Sequence, residues 1–243
     1  MDEIDQSLID DFKTTIKDFN FSSRFISNKN DILDAIKFIY DTKSVLFRKR
    51  KAGVIKWSLR KNKCAMASKD VLLDQLAVRI YEYFSKLLPI TKNDFDMFHN
   101  EVTKWFLDEL NKIRKFAGLS NAKYGNAQKM INVLFKYLAC FEDYPKYLPY
   151  FNYCHIPIDS YMMKAGLDNG IIGITNNGGY KFNGQAWEEL DKNNYLSLQK
   201  ELDVNLKRRK VVSLLNCEFY LWPLAYKGKN CKDVCKKFFI INR

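Results

Sequence analysis

The chain has 243 residues, 47% of them hydrophobic and 15% aromatic, enough to bury one substantial core or two small ones. Forty Lys and Arg against 28 Asp and Glu give a formal charge of +12, an excess that concentrates polyanions and makes nucleic acid the favoured partner. The acidic start Met1-Asp2-Glu3-Ile4-Asp5 lacks a secretory signal pattern and no run of about eighteen apolar residues occurs, so the expectation is a cytoplasmic, nucleoid-associated monomer without membrane contact.

Helical spacing opens the chain, with Ile4, Leu8, Ile9, Phe12 and Ile16 on one stripe and Ile32, Leu33, Ile36, Phe38, Ile39 and Tyr40 on a second after a cap at Asn30 or Asp31. The segment from Arg48 to Lys63 is dense in Lys and Arg around Trp57, a composition suited equally to a phosphate-contacting surface and to a solvated linker. Arg50, Lys51 and Lys56 are its DNA-binding candidates. Val71, Leu72, Leu76, Ile80, Tyr83, Phe84 and Leu87 predict a helix from Ser68 to Leu88, ending before Pro89. Another runs from Thr91 or Asn93 through Phe95, Phe98, Val102, Trp105, Phe106, Leu110 and Ile113 to Gly118, with His99 as a structural histidine within it.

After the connector 119–125, a helix from about Asn126 to Phe141 is predicted, and two helices joined by such a turn form a helix-hairpin-helix whose backbone amides can face a phosphate. Met130, Val133, Leu134, Tyr137, Leu138 and Phe141 mark its buried stripe, while Lys129, Asn132 and Lys136 share another, polar face. On the residues alone, Lys136 rivals Lys129 for any special role. Downstream come an aromatic connector from Glu142 to His155, the element Pro157-Ile158-Asp159, a Gly-rich stretch 170–182 with room for a small hairpin, and a helix from Asn193 to about Val212 with a basic end at Lys207-Arg208-Arg209-Lys210. Asp159 suits a helix N-cap. The six cysteines show no Cys-x-x-Cys pair, so reduced thiols are expected in preference to a zinc or iron-sulfur site at Cys217, Cys231, Cys235 and His155, and no metal or cofactor is assigned. A metal-dependent nuclease is disfavoured by the lack of a tight Asp, Glu and His cluster.

The run from Gly125 to Lys129, the apolar helix to Phe141 and then Pro157-Ile158-Asp159 with Tyr161 and Met162 resemble the helix-hairpin-helix DNA glycosylases with a Gly/Pro-rich loop and a catalytic aspartate. The resemblance covers about Trp105 to Met163. Ala127 stands where a second hairpin glycine is usual, the Leu-Pro-Gly hairpin is absent, and the interval of 30 from Lys129 to Asp159 is similar to the divergent archaeal 8-oxoguanine branch.

The resemblance implies a mainly α, two-lobed helical bundle as a single unit over 1–243, with its helix-hairpin-helix core at about 95–165. It implies a glycosylase with abasic-site lyase activity on duplex DNA carrying a damaged or modified base, with Lys129 as nucleophile and Asp159 as assisting carboxylate. Such an enzyme flips the target nucleotide out of the stack. Lys123, Tyr124, Gly125, Asn126 and Gln128 would meet DNA, and Phe219, Trp222 and His155 would line the base pocket. The alternative is a DNA-binding protein that keeps the scaffold without catalysis.

Overall fold

The computed structural model describes residues 6–15, 25–40, 48–51, 54–58, 62–86, 90–168, 171–172, 180–208 and 213–226. The architecture is mainly helical: α1 (Gln6–Thr15), α2 (Lys29–Tyr40), α3 (Lys63–Phe84), α4 (Lys92–Phe116), α5 (Tyr124–Leu138), the single turn α6 (Leu148–Phe151), α7 (Ser160–Asp168), α8 (Lys192–Arg208) and α9 (Leu214–Tyr226). The basic segment, expected as a linker or binding surface, forms an antiparallel hairpin of β1 (Arg48–Lys51) and β2 (Val54–Ser58), with a bulge between Lys49 and Arg50. Alternation in Val54-Ile55-Lys56-Trp57 suits a strand. Of the stretch 170–182, residues 170 and 173–179, where the sequence allows a small hairpin or an irregular loop, lie outside the described residues; beyond them Phe182 makes a bridge to Gln185. Arg209, Lys210 and the basic tail with Cys231 and Cys235 lie outside the described residues too.

Helix boundaries follow local chemistry. Asn62 accepts from the Ala65 amide at 3.0 Å and starts α3 a turn before the expected Ser68. Val71, assigned to the buried stripe, is instead 57% exposed, because at about 100° per residue it falls on the side of α3 opposite the face that Leu72, Leu73, Leu76 and Ile80 turn inward. Thr91 and Asp94 form a reciprocal capping box at the head of α4. Its other end is closed by Gly118 at φ +68°, with Leu119 N–H on the Arg114 carbonyl at 2.8 Å and Gly118 N–H on Lys115 at 3.0 Å. Asn111 then ties the connector back to α4 through both the N–H and the carbonyl of Ala122. The α4–α5 hairpin is thus a stapled unit rather than a loose loop.

Buried side chains form two clusters. The larger joins α1 to α5, the aromatic connector and part of α9, with Phe12, Phe95, Phe106, Phe135, Phe141, Phe151 and Phe219 fully enclosed. The smaller gathers Ile156, Ile158, Met162, Met163, Ala165, Tyr195, Leu198 and Leu202 from α7, α8 and their approaches. Helix α9 serves both, giving Leu215 and Phe219 to the first and Leu214, Cys217 and Leu221 to the second. Among the described residues no helix is long and apolar enough to cross a membrane.

Candidate active site at the seam of the two clusters

Lys129 projects from the second turn of α5 and Asp159 immediately precedes α7, so the seam between the clusters brings them together: Nζ lies 3.2 Å from Oδ2. The two carboxylate oxygens of Asp159 divide their work. Oδ1 accepts from the amides of Tyr161 at 2.9 Å and Met162 at 3.0 Å, the N-cap pattern, leaving Oδ2 to face the lysine. Asp159 is thus helix cap and lysine partner at once. The lysine side chain is 33% exposed and the aspartate 8%, so one end of the pair is open to a ligand and the other is fixed. Trp187, in a 3-10 turn (Trp187–Glu189), places its half-buried ring 4.7 Å from Lys129 Nζ, an aromatic wall within cation–π range.

That turn also explains the hairpin glycine. A Cβ on Gly125 would lie 2.0 Å from the Trp187 carbonyl oxygen, and the Gly125 N–H donates to Leu190 at 2.9 Å. The glycine is required for close backbone approach, and its amide is spent inside the protein rather than offered to a phosphate. The exposed Glu188 and Glu189 belong to the same turn.

A second ion pair sits farther along α5. Lys136 Nζ lies 2.8 Å from Glu218 Oε1 on α9, with side chains 4% and 2% exposed. Phe12 at 4.1 Å and Trp222 at 4.6 Å face the ammonium. Burial pushes the Glu218 carboxyl up to about 7; Lys136 opposes the shift, while the Asp159 carboxylate adds to it. Glu218 Oε2 has no hydrogen-bond partner among the described residues.

Beneath Lys129 runs a buried polar chain. Gln128, Asn132, His99, His155 and Gln199 are each less than 5% exposed, and Tyr195 is wholly enclosed. Asn132 Nδ2 donates to Gln128 Oε1 at 2.9 Å, and Asn132 Oδ1 takes the His99 Nε2 proton at 2.7 Å. Tyr195 O–H donates to His155 Nδ1 at 2.8 Å and His155 Nε2 donates to Asp96 at 2.9 Å. Burial holds both histidines below their ordinary value, His99 far below it, while Asp96 counteracts the shift at His155.

Several expected contacts therefore fall elsewhere. Tyr124, Gly125 and Gln128, assigned to DNA, are buried, because the 187–190 turn and the 156–158 backbone cover this end of α5. Lys123 remains exposed, and Asn126 is half-buried with its Oδ1 capping the Lys123 amide. Of the polar face predicted on α5, only Lys129 reaches solvent; Asn132 points into the buried polar chain and Lys136 into the aromatic side chains of the first cluster. Phe219 is 1% exposed in the aromatic cluster and His155 is fixed by Asp96 and Tyr195, so neither offers a face to a base in this structure. Trp222 is half-buried, edge-on to Phe12 and Tyr161. Arg50, Lys51 and Lys56 lie on the β-hairpin.

Trp187 and Glu218 carry no motif in the sequence. Glu218 does leave a signal, since it is the lone acid in the apolar run 214–224 and such a residue needs a buried partner. Among the described residues no cluster of His, Cys, Asp and Glu is suited to a metal ion. Comparison with protein-family models, with curated proteins and with solved structures gave no match.

Proposed function

We propose that the protein is a DNA glycosylase with abasic-site lyase activity, in which Lys129 is the nucleophile and Asp159 the assisting carboxylate. The observation that carries this reading is the 3.2 Å contact between a partly exposed amine and a buried, helix-capping carboxylate in a chain of charge +12. Attack by Lys129 Nζ on the sugar C1′ forms a C–N bond as the glycosidic bond breaks and the base leaves with its electron pair. The Lys129 ammonium first gives a proton to Asp159 Oδ2, which frees the Nζ lone pair for that attack, and the departing base takes up the proton as it leaves. The sugar ring then opens to a Schiff base on Lys129. Fixing Asp159 as an N-cap keeps its Oδ2 aimed without a further partner.

Duplex DNA with a damaged or modified base is the substrate of this reading, with an oxidised purine such as 8-oxoguanine first and a modified cytosine of invading DNA second. Because the Gly125 amide is closed by Leu190, phosphate contact falls to cationic side chains, with Lys123 beside the site and the basic β-hairpin as candidates. Borohydride trapping on a duplex bearing an abasic site tests the chemistry: wild type gives a covalent adduct that Lys129→Gln abolishes. Duplex binding with a steep salt dependence but no adduct and no released base would instead establish a non-catalytic DNA-binding protein. Mass spectrometry of bases released from damaged and phage DNA identifies the substrate.

A further inference from the structure

The backbone that delivers Asp159 to Lys129 belongs to no helix or sheet. Residues 154–159 are all buried, so the N–H and carbonyl groups between them need partners that a strand would draw from its neighbour. Side-chain amides supply them. Gln199 Oε1 accepts from Ile156 N at 3.2 Å and its Nε2 donates to Ile156 O at 2.7 Å. Two residues on, Gln128 Oε1 accepts from Ile158 N at 3.4 Å and its Nε2 donates to Ile158 O at 3.0 Å. Pro157, which has no N–H, stands between the two gripped residues.

The two glutamines differ in what they adjoin. Gln128 precedes Lys129 and Ile158 precedes Asp159, so one two-bond clamp joins the immediate neighbours of the pair. Gln128 is fully satisfied: its second N–H reaches Gly125 O at 2.8 Å and its oxygen also takes the Asn132 Nδ2 proton at 2.9 Å. Asn132 is held in turn by His99, Tyr195 and Ile156 O, which anchors the clamp on α4, α8 and the opposite side of the segment. Capping alone fixes Asp159 to its own helix and says nothing about where α7 begins relative to α5.

We propose that Gln128, braced by Asn132, is the positioning residue that sets Asp159 against Lys129 by gripping the Ile158 backbone. The inference rests on Lys129 and Asp159 being the reacting pair. Gln128 touches neither substrate nor the reacting atoms; it acts through the placement of the carboxylate.

Gln128→Met keeps the length and removes both bonds to Ile158; Gln199→Met does the same two residues away and serves as the control. With an abasic-site duplex as probe, Gln128→Met is expected to slow single-turnover borohydride trapping by about 10- to 100-fold, the effect of a small misplacement, with duplex affinity unchanged. Gln199→Met lowers the melting temperature without that loss of rate. Loss of rate in both variants in proportion to their loss of stability overturns the inference. A readout independent of catalysis is residue-resolved reductive methylation of Lys129 by formaldehyde and borohydride. Its rate is expected to rise in Gln128→Met to match Asp159→Asn and to stay at the wild-type value in Gln199→Met. If wild type fails to trap DNA while this pattern holds, the glycosylase reading falls and the positioning role stands; an unchanged Lys129 rate in Gln128→Met removes the positioning role whatever the DNA result. Gln128→Asn, shorter by one methylene, is read in the same way should the methionine variant not fold.

Discussion

Two lysines lie two turns apart on α5, and each faces a carboxylate, yet the two pairs have opposite characters. Lys136 and Glu218 are 4% and 2% exposed, ringed by Phe12 and Trp222, and they cross-link α5 to α9 inside the first cluster. Lys129 keeps a third of its side chain open while Asp159 is almost wholly enclosed. A pair dried on both sides works as a strut, since neither group can be reached or released without leaving a charge stranded. A pair with one accessible amine and one fixed carboxylate is what the proposed chemistry needs. The lesson is that helical spacing makes two lysines equivalent only until neighbouring elements choose which face stays open.

The largest effect that would break this comparison is on stability. Lys136→Ala strands Glu218 and is expected to lose about 3–5 kcal/mol in urea unfolding, whereas Lys136→Met with Glu218→Leu returns most of it. Lys129→Ala, at the partly solvated pair, is expected to change stability by no more than about 1 kcal/mol. Equal losses at the two lysines would erase the division into a buried strut and a partly open pair.

The next effect sharpens it from the side of the hairpin. Gly125→Ala places a methyl against the Trp187 carbonyl at 2.0 Å, so the 187–189 turn has to move off Lys129. Overpacking of this kind is expected to lower stability by about 1–3 kcal/mol, and to expose Lys129 further to reductive methylation. Gly118→Ala meets nothing within 4 Å and is strained only by its φ of +68°, so it is expected to lower stability without altering Lys129. A Gly125→Ala protein as stable as wild type would show that the turn is not seated on the helix start.

Much of this arrangement was legible in the chain. The α4–α5 hairpin followed from the Thr91 cap, the apolar stripe and Gly118, and Asp159 as an N-cap followed from its place after Pro157. The pairing of Lys129 with Asp159 came from a resemblance, and spacing alone left Lys136 level with it. What stayed hidden depends on residues distant in sequence. Asn132 and Lys136 read only as a polar face, with burial undecided, because their partners, Tyr195 and Glu218, come from α8 and α9, 63 and 82 positions away. Gln128 read as a DNA contact because nothing local reveals that Ile158 lacks a strand partner. The hairpin at 48–58 was obscured because its charge masked the alternation in 54–57.

The smallest effect tests the strut through its protons. In the unfolded chain Glu218 titrates near 4.5, whereas burial in the folded chain moves it to about 7. Between these values the folded state holds a proton that the unfolded state has released, so the contribution of Glu218 to stability is complete below 4.5 and is lost as pH rises through about 7. His99 and His155 act in the opposite sense. Both are held below 6.5 by burial, so the unfolded chain binds the extra protons and their contribution grows as pH rises toward 6.5. A single melting curve against pH therefore mixes two opposing slopes. Subtracting the curve of Glu218→Gln removes the histidine part, because neither histidine contacts Glu218 in the hydrogen-bonded chain from Asp96 to Gln128. The melting-temperature difference, wild type minus variant, is expected to be most favourable to wild type near pH 4.5 and to shrink through neutrality. A difference that is flat across this range would mean that Lys136 keeps Glu218 ionised throughout, and the strut would then be a charged pair at every pH the fold survives.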